Sequence, residues 1–482
     1  MSLDQAAIAA NRFGLGARPG DLKTIAGDPR GWLLAQLTPE QAPPAPLASL
    51  PATAAASGEF LTWLASLGLA GGAAAKAYGS AMTPGAMGTA GAQPLGVEQS
   101  YIKYFGPGYA AGVEARFAVA TTSERPFFER LSRFWANHFT ISAAKPEIIA
   151  LAPLFERDAV RPHVCGRFED MLLASCRHPG MLIYLDNYLS IGPNSPLAHH
   201  PEYLPAYLRE RMKGLNENLG REVLELHTLG VRGGYSQADV TSLARILTGW
   251  SVRGPRDLRP DGEVFRYVGF AHELGAQNLL ATTYADDGEG QGRSALRDLA
   301  RHPATARHLA TKLARHFIAD EPPPAAVDRV ARAFADTGGD LAGAARALIE
   351  APEAWAPRPA KLKTPDDYLV STVRALDGPP LKGVQLIALL DRMGQRPFWA
   401  PGPDGWSDVE DGWIGADAVW KRLEWASTLA RGYAAANIDP AAVADGALGP
   451  QLSPATLRAL RGAESPAQGL AMFLVSADFQ RR

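Results

Sequence analysis

The densest run of chemically capable side chains lies at 216–230, NENLGREVLELHTLG. Read as a helix at about 100° per residue, it places Asn218, Arg221, Glu222 and Glu225 in one arc of roughly 100°. Leu215, Leu219 and Leu226 flank one edge and Leu224 the other, while His227 points away from the polar arc. A helix that is apolar on most sides is expected to be central and buried. Carboxylates there need cations, donors or a metal. Glu222 and Glu225 stand three residues apart, so both can face one pocket as general acid and base. The same stripe also fits a structural network in which Arg221 bridges Glu225 and neighbouring helices.

His138 ends an aromatic run in which Leu131, Trp135 and His138 share one helix face. Its imidazole is expected to point into the core, as a hydrogen-bonded structural group or as a ligand or acid–base group. His272, followed by Glu273, falls on a loop after strand-like sequence, where functional residues collect. His138, Glu222, Glu225 and His272 together offer the imidazole and carboxylate ligands that suit a divalent zinc, iron or manganese ion. Such an ion would lower the pKa of bound water and present hydroxide.

Trp399, Trp406, Trp413, Trp420 and Trp425 are half of the ten tryptophans. Pro401, Gly402, Pro403 and Gly405 exclude a continuous helix through them. The cluster is either an aromatic mini-core or a stacking platform for a sugar or other polymer. On the second reading Trp406 and Trp413 contact substrate, with Asn218 and Arg221 as polar partners. His308, Lys312 and Arg315 line one helix face, as a solvated basic surface or an anion-binding patch. His163-x-Cys165 and Cys176-x-His178 have metal-like spacing, but the intervening helix holds the two ends too far apart for one ion. Phosphate loops of Walker type, the Gly-x-Ser-x-Gly elbow and His-Glu-x-x-His are absent.

The elements that must carry these residues are helical. Patterns of 3.6-residue period recur from residue 110 to the end, including 124–139, 203–213, 216–229, 303–319 and 364–376. The only alternation is at 263–284, read as a small β-hairpin. Ser236-x-x-Asp239 is a capping box in its Asp variant. The expected fold is mainly α: a single large multi-helix domain with a small β-hairpin insertion. Residues 1–38 would form N-terminal helices packed on it, 39–99 an Ala/Gly/Pro-rich insertion, mobile over 71–98, and 100–482 the main domain. Lys plus Arg number 48 and Asp plus Glu 50, for a net charge of −2, which argues against nucleic-acid binding. No apolar window is long enough to span a membrane. With no export signal at its start, the chain reads as cytoplasmic.

Several motifs carry a resemblance along most of the sequence. They are Asn11-Arg12-Phe13-Gly14 with Arg18-Pro19-Gly20, Phe134-Trp135-Ala136-Asn137-His138-Phe139, and the run at 178–187. The run at 216–230, Gly233-Gly234-Tyr235-Ser236, Leu247-Thr248-Gly249-Trp250, His302-Pro303-Ala304, Gly405-Trp406 with Trp413, and Ser476-Ala477-Asp478-Phe479 complete the set. In these the chain resembles the bacterial family called domain of unknown function 1800. The resemblance implies little chemistry. It does imply frequent export, and a neighbour from the family called domain of unknown function 1501, which looks like the phosphatase and sulfatase superfamily. The sequence departs from the family at His272-Glu273, where His-Asp is usual, and at Gly275-Ala276-Gln277, where Gly-x-Lys is usual.

Three functions are therefore expected to compete. The first is a metal-assisted hydrolase acting on a carbohydrate or other polymer. The second is a non-catalytic helical scaffold binding a partner such as the phosphatase/sulfatase-like neighbour. The third is a redox or cofactor-binding protein.

Overall fold

Proline and its caps punctuate this chain. Pro opens a helix after Asp28, Ser195, Thr364, Asp439, Ser453 and Ser465, and each of these side chains accepts a hydrogen bond from the first turn. First-turn N–H groups have no intrahelical partner, so proline sacrifices nothing there. His178 and His302 cap in the same way: Nδ1 accepts from Gly180 N at 3.0 Å and from Ala304 N at 3.1 Å. Ser236 and Asp239 form the reciprocal capping box that their spacing predicts.

In the computed structural model, residues 3–69, 96–204, 206–209, 211–254, 256–259, 261–433 and 438–482 are described. The fold is mainly α-helical. Five helices position the site: α1 (Gly96–Thr122), α2 (Pro126–His138), α3 (Asn218–Glu222), α4 (Pro303–Phe317) and α5 (Pro365–Ala375). One continuous apolar cluster runs from Ala6 to Phe479. The N-terminal segment belongs to it, since Phe13 packs edge-on to Phe127 at 5.8 Å and lies 5.3 Å from Trp355.

Two expectations change. The stretch 263–284 does not close on itself as one hairpin. Phe265–Tyr267 pairs antiparallel with Trp250–Val252, in the register Trp250↔Tyr267, while Gln277–Leu279 pairs with Thr282–Tyr284. A tight helical turn at Gly269–Ala271 and the buried His272 and Glu273 separate the two ladders. The second hairpin turns on Leu280 and Ala281, both at positive φ (48° and 63°), the backbone of a primed hairpin turn. Asp239 Oδ1 accepts from Leu280 N at 2.8 Å and steadies that turn. The helix expected over 203–213 is reduced to short turns, Pro201–Tyr203 and Ala206–Arg209. Within the insertion, Ala45–Ala48 and Thr53–Leu69 are helical. The stretch 71–98, expected to be mobile, lies outside the described residues except at 96–98.

Buried guanidinium groups fasten chain crossings. Arg374, 1 % exposed, donates to the carbonyls of Gly16, Ala120, Thr121 and Ser123. It thereby ties α5 to the end of α1 and to the N-terminal turn. Arg374→Met is expected to cost about 3–5 kcal/mol, because buried carbonyls lose a charged donor. The exposed pair Arg392–Glu424 serves as control, with Arg392→Met costing under about 1 kcal/mol. Urea denaturation midpoints of the two variants check both values.

Candidate functional site

Asn137, the penultimate residue of α2, builds the site by holding a loop. Its Oδ1 accepts from Trp406 N at 2.8 Å and its Nδ2 donates to Trp406 O at 2.9 Å. The amide thus pairs with the 399–413 loop as a β-strand would. The loop can approach this closely because Gly405 adopts φ +85°, and a Cβ there would lie 2.6 Å from Asn137 O and 2.7 Å from Thr140 Oγ1. Trp413, 5.8 Å from Trp406 between ring centres, donates from Nε1 to Ser407 O at 2.9 Å. Clamped in this way, the loop sets Asp408 against α4.

Between this loop, α1, α2 and α5 lies a cleft of about 100 Å³. Its lining includes Arg116, Arg133, His316, Asp366, Trp406 and Asp408. His316 Nδ1 lies 2.8 Å from Asp408 Oδ1, while Nε2 has no hydrogen-bond partner among the described residues. Burial draws the His316 imidazole down to about 4, and Asp408 only partly opposes this. Lys361 holds Asp408 from behind, donating to its backbone carbonyl and pairing with Asp320.

The opposite wall is an ionic lattice. Arg116 Nε binds Glu156 at 2.7 Å and its Nη1 reaches Asp366 at 3.2 Å. Arg133 also grips Asp366. Arg130 Nη1 contacts both Asp367 oxygens at 3.1 Å, and its Nε donates to Gly14 O at 2.6 Å. Arg482 Nε adds a contact to Asp367 at 3.0 Å. Burial alone would raise the Asp367 carboxyl, but Arg130 and Arg482 outweigh it and hold Asp367 far below the usual carboxylate range.

The residues singled out by sequence fall in three other places. His138 is buried as expected, but it meets other imidazoles rather than the carboxylates. The rings of His227 and His308 lie 6.1 and 6.2 Å away, and His138 Nε2 is 3.1 Å from His227 O. Burial, with Lys312 close by, draws His138 well below its ordinary value and His227 to about 3.

The polar stripe is not the buried face of its helix: Asn218 is exposed, and Arg221, Glu222 and Glu225 are half-buried. Leu219, Gly220, Val223, Leu224 and His227 face inward instead. Gly220 seats that face, since a Cβ there would come within 2.9 Å of Ala244 N. Arg221 pairs with Glu217 at 3.0 Å rather than with Glu225, which accepts from Tyr235 Oη at 3.4 Å. Burial, then the neighbouring Glu225, raises the Glu222 carboxyl to about 7.

His272 is fixed elsewhere. Its Nδ1 is 2.9 Å from Thr248 O and its Nε2 is 3.9 Å from Asp286. Glu273 beside it accepts from Asn194 N and Nδ2 at 2.8 and 2.6 Å. Among the described residues no group of three or more His, Cys, Asp or Glu side chains is placed to hold a metal ion. His138, Glu222, Glu225 and His272 therefore do not assemble the donor set that their types suggest.

His316, Asp408, Arg116, Arg130, Arg133, Asp366 and Asp367 were not singled out by sequence reasoning. One signal was available: His316 stands four residues, about one turn, after Lys312 and eight after His308.

The chain belongs to the family described as Protein of unknown function (DUF1800), which it matches over residues 8–481. No curated protein and no solved structure matches it.

The buried imidazoles have a thermodynamic consequence. His227, His308 and His316 sit at about 3, 4 and 4 in the fold, below the free value near 6.5. The unfolded chain then binds more protons, so this stability is complete above about pH 6.5 and is lost as pH falls toward about 4. Each group contributes up to about 1.4 kcal/mol per pH unit in that window. Urea midpoints should fall steadily from pH 7 to 4.5, and His227→Leu should flatten the slope. An unchanged slope would contradict the burial of a neutral His227.

Proposed function

We propose that the chain is a hydrolase acting on a carbohydrate or other polymer, with His316 as its general base and Asp408 as the group that orients it. The observation that carries this reading is the His316 Nδ1–Asp408 Oδ1 contact of 2.8 Å, on a histidine that lines a cleft and whose Nε2 has no hydrogen-bond partner among the described residues. A carboxylate on Nδ1 fixes the tautomer that leaves the Nε2 lone pair free. With its pKa near 4, the imidazole is neutral at physiological pH and able to take a proton. A cleft of this size admits water, which His316 would activate toward a bond of the substrate. Trp406, half-buried in the cleft wall, gives a sugar or other ring a face to stack on. No step is routed through a metal ion, because the candidate donors are dispersed.

A second reading, the partner-binding scaffold, is favoured by a different surface. Ile414, Val419, Trp420 and Leu423 are exposed at and just before the helix Ala416–Gly432. Apolar groups crowded on a surface mark interaction sites. A phosphatase- or sulfatase-like protein would be the partner on this reading.

Chromogenic glycosides, carboxylic esters, phosphate esters and sulfate esters test the first reading. His316→Gln and Asp408→Asn should each lower kcat on the accepted class by about 10²–10⁴-fold, with retained helical circular dichroism. In wild type, kcat/KM should be flat above neutrality and fall as pH drops toward about 4, where His316 gains its proton. Turnover unaffected by His316→Gln would sink the proposal. Inert wild-type protein whose partner capture is lost in Trp420→Ser would favour the scaffold.

A further inference from the structure

The lattice opposite His316 places three guanidinium groups on the cleft wall. Among the described residues Arg116, Arg130 and Arg133 pair there with Glu156, Asp366 and Asp367, and Asp408 lines the same cleft, while Lys363 and Arg482 are not part of its lining. Lys363 is 2 % exposed, and its Nζ has no hydrogen-bond partner among the described residues. It rests 3.7 Å from the centre of the Phe479 ring. Burial draws Lys363 down to about 7; Asp367 opposes this, while Arg130, Arg482 and Arg422 reinforce it.

Arg116, Arg130 and Arg133 line the cleft from α1 and α2, each anchored through some of its donors and free in others. Arg116 uses Nε and Nη1, Arg130 uses Nε and Nη1, and Arg133 uses Nη1 and Nη2. Among the described residues no acceptor takes Arg116 Nη2, Arg130 Nη2 or Arg133 Nε. The carboxylates of Glu156, Asp366 and Asp367 act as brackets that hold the guanidinium planes before any ligand arrives. Fixed forks with spare N–H groups are the recognition chemistry of oxyanions.

We propose that this arginine wall is an oxyanion subsite, taking a phosphate, sulfate or carboxylate group carried by the ligand. It rests on the reading that the cleft is the substrate site and narrows the substrate to an acidic one. The subsite and His316 line the same cleft, so a bound acid group would lie within one small volume with the proposed base.

The test is calorimetric titration of wild-type protein with inorganic phosphate, sulfate and acetate at low ionic strength, with chloride as control. At least one of the three should bind measurably, and the preferred ion names the acid group. Ser407, exposed at the cleft rim, offers a charge reversal outside the lattice. Ser407→Glu should weaken the ion about tenfold or more by like-charge repulsion, and Ser407→Lys should not weaken it. Binding by none of the ions, or an affinity that Ser407→Glu leaves unchanged, overturns the subsite. Failure of the base is separable: ions would still bind while His316→Gln kept its turnover. Loss of turnover in His316→Gln with no ion bound would reject the subsite alone.

Discussion

Two adjacent carboxylates at the start of α5 set the plan of this molecule. Thr364 and Pro365 start the helix, and the cap fixes Asp366 and Asp367 in its first turn. From there Asp366 draws Arg116 of α1 and Arg133 of α2, while Asp367 draws Arg130 of α2 and Arg482. Helices far apart in sequence are thus locked by charge as well as by apolar packing. Interior charges survive only when geometry and pairing offset their lost hydration. That requirement makes the region rigid, and rigidity is what a small polar cleft needs to keep its shape.

The same principle separates two populations of histidine. His138 and His227 are sealed in the aromatic core, where desolvation keeps them uncharged and neither has a carboxylate partner among the described residues. His316 is equally reluctant to take a proton, yet one of its nitrogens faces Asp408, the other has no hydrogen-bond partner among the described residues, and the residue lines a cleft. Burial tunes all of them in one direction, and only the placement of a carboxylate gives one of them an orientation useful for chemistry. Glu222 shows the converse: half-buried beside Glu225, it is raised toward neutrality with no lattice to hold it.

Local sequence carried the architecture well and the site poorly. Helical periodicity, the Ser236–Asp239 cap and the inward turn of His138 were legible because each depends on neighbours within a few residues. The stripe at 218–225 was misoriented for a specific reason. Its four polar residues share a face, as the wheel places them, but that face turns outward, because the opposite one, with Leu219, Gly220 and Val223, packs inward. The seat of Gly220 on Ala244 could not be read from either segment alone. His316 and Asp408 are 92 residues apart, and the arginine wall gathers residues from 116 to 482. Such convergence is a property of tertiary topology, which periodicity does not encode. Of the hairpin read over 263–284, the 277–284 part pairs as expected, while the partner of Phe265–Tyr267 lies before the alternating stretch.

The contact of Arg130 with both Gly14 and Asp367, and of Asp367 with Arg482, also governs the order of assembly. These partners span nearly the whole sequence, so their meeting closes very large loops. Contacts of that separation form late, after local helices have condensed. Until Arg482 docks, Asp367 faces Arg130 with one of its two arginine contacts missing. A nascent chain would hold most of its helices early, and the pairing of Asp367 would be completed only once Arg482 docks. Competence at the cleft would then report on completed folding rather than on helical content.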